Sequence, residues 1–153
     1  MAASRFVYVT YIRTTPEKLW EALIKPDFTR QYWAGTHQES AWTKGAPWNI
    51  VTPDGRVVDI GKVLEIEPAK RLVLEWAHVF PSELAEEGVS RCMYEIEQLP
   101  GAVKLTITHE MDRPHSKLID AVANGWPHLL ASLKSLLETG AALEGTDKWP
   151  EGI

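Results

Sequence analysis

The chain has 153 residues, enough for one domain, and its 44% hydrophobic and 24% charged residues are typical of a globular protein. The net charge is −5 and no cluster of Lys and Arg occurs, so neither nucleic acid nor an anionic membrane is expected as a partner. There is no membrane-spanning apolar run, no signal-peptide pattern and only one cysteine, Cys92, which together predict a cytoplasmic protein.

The first regular segment alternates in the manner of a β-strand. Phe6 to Ile12 is rich in β-branched and aromatic residues, and Val7, Val9 and Tyr11 fall on one face. A strand of this kind at the edge of a sheet can pair with a second copy of itself, so a homodimer is one expectation for the partner.

Two short helices are expected next. Thr15 supplies a capping hydroxyl and Pro16 suits the first helical position, so a helix should run to about Ile24 and end at Pro26. A second helical turn should follow before Gly35.

The middle of the chain has the rhythm of an antiparallel meander, with a polar loop expected from Pro81 to Gly88. Gly61 indicates a bulge or bend within one strand. In that strand Val58, Ile60, Leu64 and Ile66 share one face. After Glu39, the predicted strands are Trp48–Val51, Val57–Glu67, Arg71–Phe80, Val89–Gln98 and Val103–Met111.

The period then changes to that of an amphipathic helix, from Ser116 to Thr139. Inside this segment Gly125 and Pro127 flank Trp126. Because an interior proline removes a helical hydrogen bond, we predict a kink or a break there. Residues 141–153 are predicted to form a loosely held tail after a single domain of residues 1–140.

This order of elements predicts an α+β fold, in which a curved antiparallel sheet of about six to seven strands wraps the long C-terminal helix. We expect an apolar, aromatic-lined cavity between sheet and helix, beneath Gly125 to Pro127.

Several runs of sequence support one family resemblance. These runs are Pro16 to Leu23, Tyr32-Trp33, Leu105 to His109 and Asn124 to Lys134. Through them the chain resembles the bacterial homologues of the C-terminal domain of the eukaryotic heat-shock-chaperone ATPase activator, a branch of the START-related (SRPBCC), birch-allergen-like superfamily. The resemblance covers approximately residues 5 to 140 and implies the helix-grip fold.

The resemblance also introduces a chaperone as a partner to consider. In the eukaryotic cochaperone a second, N-terminal domain takes part in driving the chaperone, and we expect no room for one here. The acidic charge balance also gives no basic face to meet an acidic client. A chaperone-interacting module is nevertheless kept as a functional hypothesis, third after ligand binding and catalysis.

Seven tryptophans in so small a domain suggest an aromatic wall for a ligand. Trp33, Trp76 and Trp126 are the first candidates, because they lie on the three elements expected to face one another. Further candidates for the lining are Trp48, Tyr94 and Leu130. The alternative is that these residues form a packed aromatic core.

Two histidines near strand ends, His78 and His109, are the candidate polar groups. They can hydrogen-bond a ligand or act as general acid and base, although a histidine bonded to its neighbours within the protein is the alternative.

No metal-binding spacing, phosphate-cradling glycine loop or nucleophile elbow occurs, so we expect no metal and no cofactor. The leading hypothesis is therefore noncatalytic binding of a small apolar or amphipathic molecule. A cyclase or hydrolase that uses the two histidines is the second hypothesis.

Overall fold

A computed structural model describes residues 3–150 of the chain. Residues 1–2 of the predicted domain and residues 151–153 of the predicted tail lie outside the described residues. The strands within the described part are Ser4–Ile12 (β1), His37–Ser40 (β2), Pro47–Val51 (β3), Val57–Glu67 (β4), Arg71–His78 (β5), Val89–Leu99 (β6) and Ala102–Met111 (β7). The helices there are Pro16–Ile24 (α1), Pro26–Tyr32 (α2), Ser82–Ala85 (α3) and Lys117–Thr139 (α4).

All seven strands form one antiparallel sheet in the order β1-β7-β6-β5-β4-β3-β2. The strands β1 and β2 are therefore opposite edges, and α1 and α2 connect them. The predicted α+β helix-grip fold is confirmed. The short helix α3 lies within the segment that was predicted as a loop.

Hydroxyl side chains cap the first turn of two helices, and the cap at Thr15 is the predicted one. Thr15 Oγ1 accepts a hydrogen bond of 3.2 Å from the backbone N–H of Lys18 and caps α1. Ser116 Oγ caps α4 by accepting from the Ile119 N–H at 3.1 Å. Among residues 3–150, no helix is long and apolar enough to cross a membrane.

The helix α4 buries one stripe and forms the main core with the inner face of the sheet. Trp126, Leu130 and Leu133 belong to this stripe. The helix continues through Pro127, so of the two predicted alternatives, a kink or a break, the break is wrong. Because Pro127 has no N–H, the carbonyl of Ala123 loses its usual helical donor, yet packing against the sheet holds the helix together.

The segment after α4 packs onto the domain. Thr146 is buried, and its hydroxyl lies 2.8 Å from Ser132 Oγ and donates to the Gln31 carbonyl at 3.1 Å. The rings of Trp149 and Phe80 are also in edge contact, with centroids 6.2 Å apart. The predicted tail is thus in contact with the domain at Thr146 and Trp149.

The strand β4 differs in detail from its prediction. Its register shift lies between Val63 and Glu65 rather than at Gly61. Gly61 is needed for another reason: a Cβ atom there would lie 1.7 Å from the backbone carbonyl oxygen of Glu75. The predicted apolar face also divides, because Val58 is 4% exposed whereas Ile60 is 43% exposed.

Candidate ligand site beside the long helix

The predicted tryptophans do come together between sheet and helix. Trp33 follows α2, Trp76 lies in β5 and Trp126 lies in α4. The centroid of the Trp33 ring is 6.1 Å from that of Trp76 and 5.5 Å from that of Trp126. The indoles therefore pack on one another and fill much of the space that was expected to be a cavity.

Three other predicted lining residues lie in the core. Trp48 is fully buried, and its indole N–H donates to Gln38 Oε1 at 2.8 Å. Leu130 is fully buried as well. Tyr94 is buried with its hydroxyl beside the Cys92 thiol, and no hydrogen bond of normal geometry to another described residue satisfies that hydroxyl.

His109 of β7 is fully buried and lies in a chain of hydrogen bonds. The Trp126 indole N–H donates to His109 Nδ1 at 3.2 Å, which assigns the ring proton to Nε2. His109 Nε2 then donates to Ser90 Oγ at 2.8 Å, and Ser90 donates to the Trp76 carbonyl at 3.0 Å. Both ring nitrogens are therefore used within the protein.

This environment keeps His109 neutral. Burial, with electrostatic repulsion from His78 as a smaller cause, lowers the pKa of His109 from 6.5 to about 3. A general acid or base near neutral pH needs a pKa near the working pH. The arrangement fits a structural histidine.

An open pocket of about 190 Å³ remains beside the middle of α4. It lies next to Gly125 and Trp126, where the sequence places the cavity. Its walls are mainly apolar, with two polar side chains from neighbouring strands. The lining residues are Trp33, Asp59, Trp76, His78, Ala121, Val122, Gly125, Trp126 and Leu129.

The two polar groups, Asp59 of β4 and His78 of β5, are cross-strand partners. Asp59 Oδ2 accepts a hydrogen bond of 2.9 Å from the Trp76 indole N–H. Burial raises the pKa of Asp59, while His78 and the bond from Trp76 oppose that shift. His78 Nδ1 is buried and has no hydrogen-bond partner among the described residues.

Gly125 leaves the pocket open on its helical side. A Cβ atom at this position would meet no other atom within 4 Å, apart from its own helix backbone and chain neighbours. Larger side chains at Gly125 would therefore extend into free space and narrow the pocket.

A larger hollow of about 810 Å³ lies elsewhere on the surface, but its chemistry is different. It is lined mostly by charged and polar side chains, and two of them, Arg71 and Glu95, form an ion pair with a nitrogen–oxygen distance of 3.2 Å. Its lining offers few apolar side chains to hold a ligand, so the pocket beside α4 is the better site for an apolar molecule. Among residues 3–150, no three His, Cys, Asp or Glu side chains form a group that could hold a metal ion.

A protein-family model described as "Activator of Hsp90 ATPase homolog 1-like protein" matches residues 13–138. The chain belongs to this family. The resemblance inferred from the four runs of sequence is thereby confirmed. A search of curated protein sequences gave no significant match.

Solved structures share the fold of this family member. Protein MLL2253 from Mesorhizobium loti is 24% identical with a TM-score of 0.74, and the match covers 88% of this chain and 96% of that one. The Aha1 dimer from Colwellia psychrerythraea is 20% identical with a TM-score of 0.72, covering 90% and 98%. PFC0360w, an HSP90 activator from Plasmodium falciparum, is 19% identical with a TM-score of 0.70, covering 87% and 95%.

Sequence reasoning missed Asp59 as a pocket residue of this family member. An acidic residue within the apolar run of β4 was the available signal. The signal was missed because Val58, Ile60, Leu64 and Ile66 were grouped as one face, which leaves Asp59 on the other. Val122 and Leu129 also line the pocket and are not among the predicted site residues.

Proposed function

We propose that this member of the activator-homologue family binds a small apolar or amphipathic molecule without transforming it. The observation that carries the proposal is the pocket beside α4, whose apolar walls surround two polar groups, Asp59 and His78. Ligand sites commonly combine a mainly apolar lining with a few polar atoms that fix orientation.

The walls and the size of the pocket favour a compact ligand. Val122, Leu129 and Trp33 offer apolar surface from which a ligand would displace water. The volume of about 190 Å³ is below the ~300–1,000 Å³ typical of pockets for drug-sized molecules. A ligand with one ring or a short branched chain fits this space best.

The hypothesis of a cyclase or hydrolase receives less support. It requires His78 and His109 to act together on one ligand, but His109 is not among the residues that line the pocket. Both of its ring nitrogens already bond within the protein. Binding without catalysis is therefore the better interpretation.

The proposal is tested by closing the pocket from the helix. Gly125→Leu places a side chain into free space beside Trp126, and the exposed Ala131→Leu adds a comparable side chain to α4 away from the pocket lining. A panel of small aromatic and branched aliphatic probes is titrated by calorimetry into the wild type and both variants. Probes should bind the wild type and Ala131→Leu, and Gly125→Leu should weaken binding by about tenfold or more.

Two results would contradict the proposal. One is a panel in which no probe binds the wild type. The other is binding that Gly125→Leu leaves unchanged, because the ligand would then occupy a different place.

A second candidate function is association of two copies through β1. Its outer face carries a row of exposed apolar side chains, with Val7 51%, Val9 41% and Tyr11 53% exposed. The strand is also an edge of the sheet, and an edge strand offers unpaired backbone groups to another strand.

The far end of this edge is already occupied by α4. Lys134 Nζ donates to the Tyr11 carbonyl, and Glu138 Oε2 accepts from the Arg13 N–H at 2.8 Å. A second copy would therefore pair with the Arg5 to Val9 part of β1. Sedimentation velocity should show a dimer that Val9→Lys dissociates, and a wild type that stays monomeric at all concentrations would contradict this candidate.

A further inference from the structure

The lining of the pocket beside α4 contains an acidic side chain but no lysine or arginine. Asp59 is the only acid among the nine lining residues. His78 is the other titratable group, and the remaining seven residues are apolar or indole-bearing.

The carboxylate of Asp59 is short of hydrogen-bond donors. A carboxylate can accept about four hydrogen bonds, yet among the described residues only the Trp76 indole N–H donates to it, at 2.9 Å. A partly buried carboxylate with a single donor is costly, because it has lost water without full replacement. The raised pKa of Asp59, caused mainly by burial, expresses the same cost.

His78 presents a second unsatisfied atom. Its Nδ1 is buried without a partner, and Asp59 is its neighbour across the β4–β5 pair. No hydrogen bond joins the two side chains, so each lacks a partner that the other could have supplied. In a neutral imidazole one ring nitrogen is an acceptor, so a ligand whose N–H donates a hydrogen bond to Nδ1 would satisfy it.

We infer that the pocket selects a small organic ammonium, which donates N–H groups to the Asp59 carboxylate and to His78 Nδ1 while its apolar body lies against Val122, Leu129 and the indoles. This inference rests on the proposed binding function and names its ligand class. A protonated amine supplies several donors and the opposite charge, and hydrogen bonds to charged groups are stronger than neutral ones. A carboxylate ligand would meet Asp59 with like charge, and an alcohol supplies one donor without charge.

The test compares three probes of nearly equal shape: benzylammonium, benzyl alcohol and benzoate. Calorimetry on the wild-type chain should give a dissociation constant for benzylammonium at least about tenfold lower than for benzyl alcohol, with benzoate weakest. The amide protons of His78 and the indole protons of Trp76 and Trp126 should shift in NMR spectra during the titration.

Two variants, each of which removes one negative charge, show which carboxylate causes the preference for benzylammonium. Asp59→Asn keeps an oxygen that can accept from Trp76 but removes the charge, and it should abolish the preference for benzylammonium over benzyl alcohol. Glu75→Gln removes one charge from β5 at a hollow that the pocket lining does not share, and it should leave the preference intact.

The outcomes separate this inference from the proposed function. Equal binding of the three probes, unchanged in Asp59→Asn but lost in Gly125→Leu, would overturn the ammonium inference and leave pocket binding standing. Binding of none of them, together with failure of the wider probe panel, would overturn both. Should Asp59→Asn fail to fold, the preference of the wild type among the three probes still decides the question.

Discussion

His109 and His78 lie on neighbouring parts of the same sheet, yet they belong to two different regions. Around His109 every ring nitrogen is bonded, and α4, β6 and β7 meet without a gap. Around His78 one ring nitrogen has no partner among the described residues, and an open pocket adjoins it. Whether the protein itself completes the hydrogen bonds of a buried histidine therefore decides whether the residue is structural or available to a ligand.

The difference has a geometric cause. The last β5–β6 pair joins Ala77 to Val89, so His78, the next residue of β5, has no β6 residue opposite it. His109, in contrast, lies opposite Cys92 of β6 on one side and Phe6 of β1 on the other. β6 therefore supplies one partner of His109, the Ser90 hydroxyl, and α4 supplies the other, the Trp126 indole, whereas no β6 residue is paired with His78.

The largest effect on stability is expected from a substitution at Gly61 of β4. Gly61→Ala should destabilise the fold by more than about 4 kcal/mol or prevent folding, because the added Cβ would collide with the Glu75 backbone, which cannot rotate away. Chemical denaturation, or the yield of soluble protein, measures this effect. A stable Gly61→Ala protein would show that the packing between β4 and β5 is looser than the structure has it.

The two histidines themselves give the next contrast. His109→Leu should lower the free energy of unfolding by about 2–3 kcal/mol, because it leaves the Trp126 indole N–H buried without an acceptor. His78→Leu should change it by less than about 1 kcal/mol, since no hydrogen bond to Nδ1 is lost. Urea denaturation of both variants checks the prediction, and equal losses would remove the distinction.

His109 should also make the stability of the protein depend on pH. Its pKa is 6.5 when unfolded and about 3 when folded, so between these values the unfolded chain binds a proton that the folded chain does not. Stability from this group is complete above the unfolded pKa and is lost as the pH falls toward the folded one.

From about pH 7.5 to about pH 5, the wild type should therefore lose about 2 kcal/mol more than His109→Gln. The raised pKa of Asp59 acts in the opposite sense, but it is common to both proteins and cancels in the difference. If the stability of the two proteins changed with pH in the same way, the pKa of His109 would be the same in the folded and the unfolded chain.

The smallest effect is expected at the open region. Gly125→Ala should raise the free energy of unfolding by about 0.5–1 kcal/mol, because alanine favours the helix and its methyl group meets free space. Thermal denaturation with Ala131→Gly as the reverse control measures the gain. A loss of stability would indicate that the pocket closes in solution.

The sequence predicts the fold well because local signals repeat along the chain. The cap at Thr15, the alternation in β1 and the apolar stripe of α4 each determine an element, and their order implies the antiparallel sheet. Of the kink or break predicted at Pro127, the break does not occur, because tertiary packing outweighs one lost helical hydrogen bond. The burial of Thr146 depends on contacts with Gln31 that local sequence does not reveal.

The candidate site is less predictable, since it depends on which side chains meet across strands. Sequence alone brings Trp33, Trp76 and Trp126 together correctly. It does not separate His78 from His109, because the hydrogen bond from Trp126 joins residues 17 positions apart on a helix and a strand. It also omits Asp59, whose inward direction follows from the register of β4 with β5.

Hydrogen exchange of the Trp126 indole proton, which is bonded to His109, can report the movement of α4 away from the sheet. This proton can exchange with heavy water only when α4 separates from β7, so its exchange rate measures how often the helix lifts from the sheet. A molecule that enters past the indoles must wait for that opening, whereas one that stays in the pocket beside α4 need not. Comparing the exchange rate of this single proton with the rate of ligand association would reveal how far inside a ligand travels.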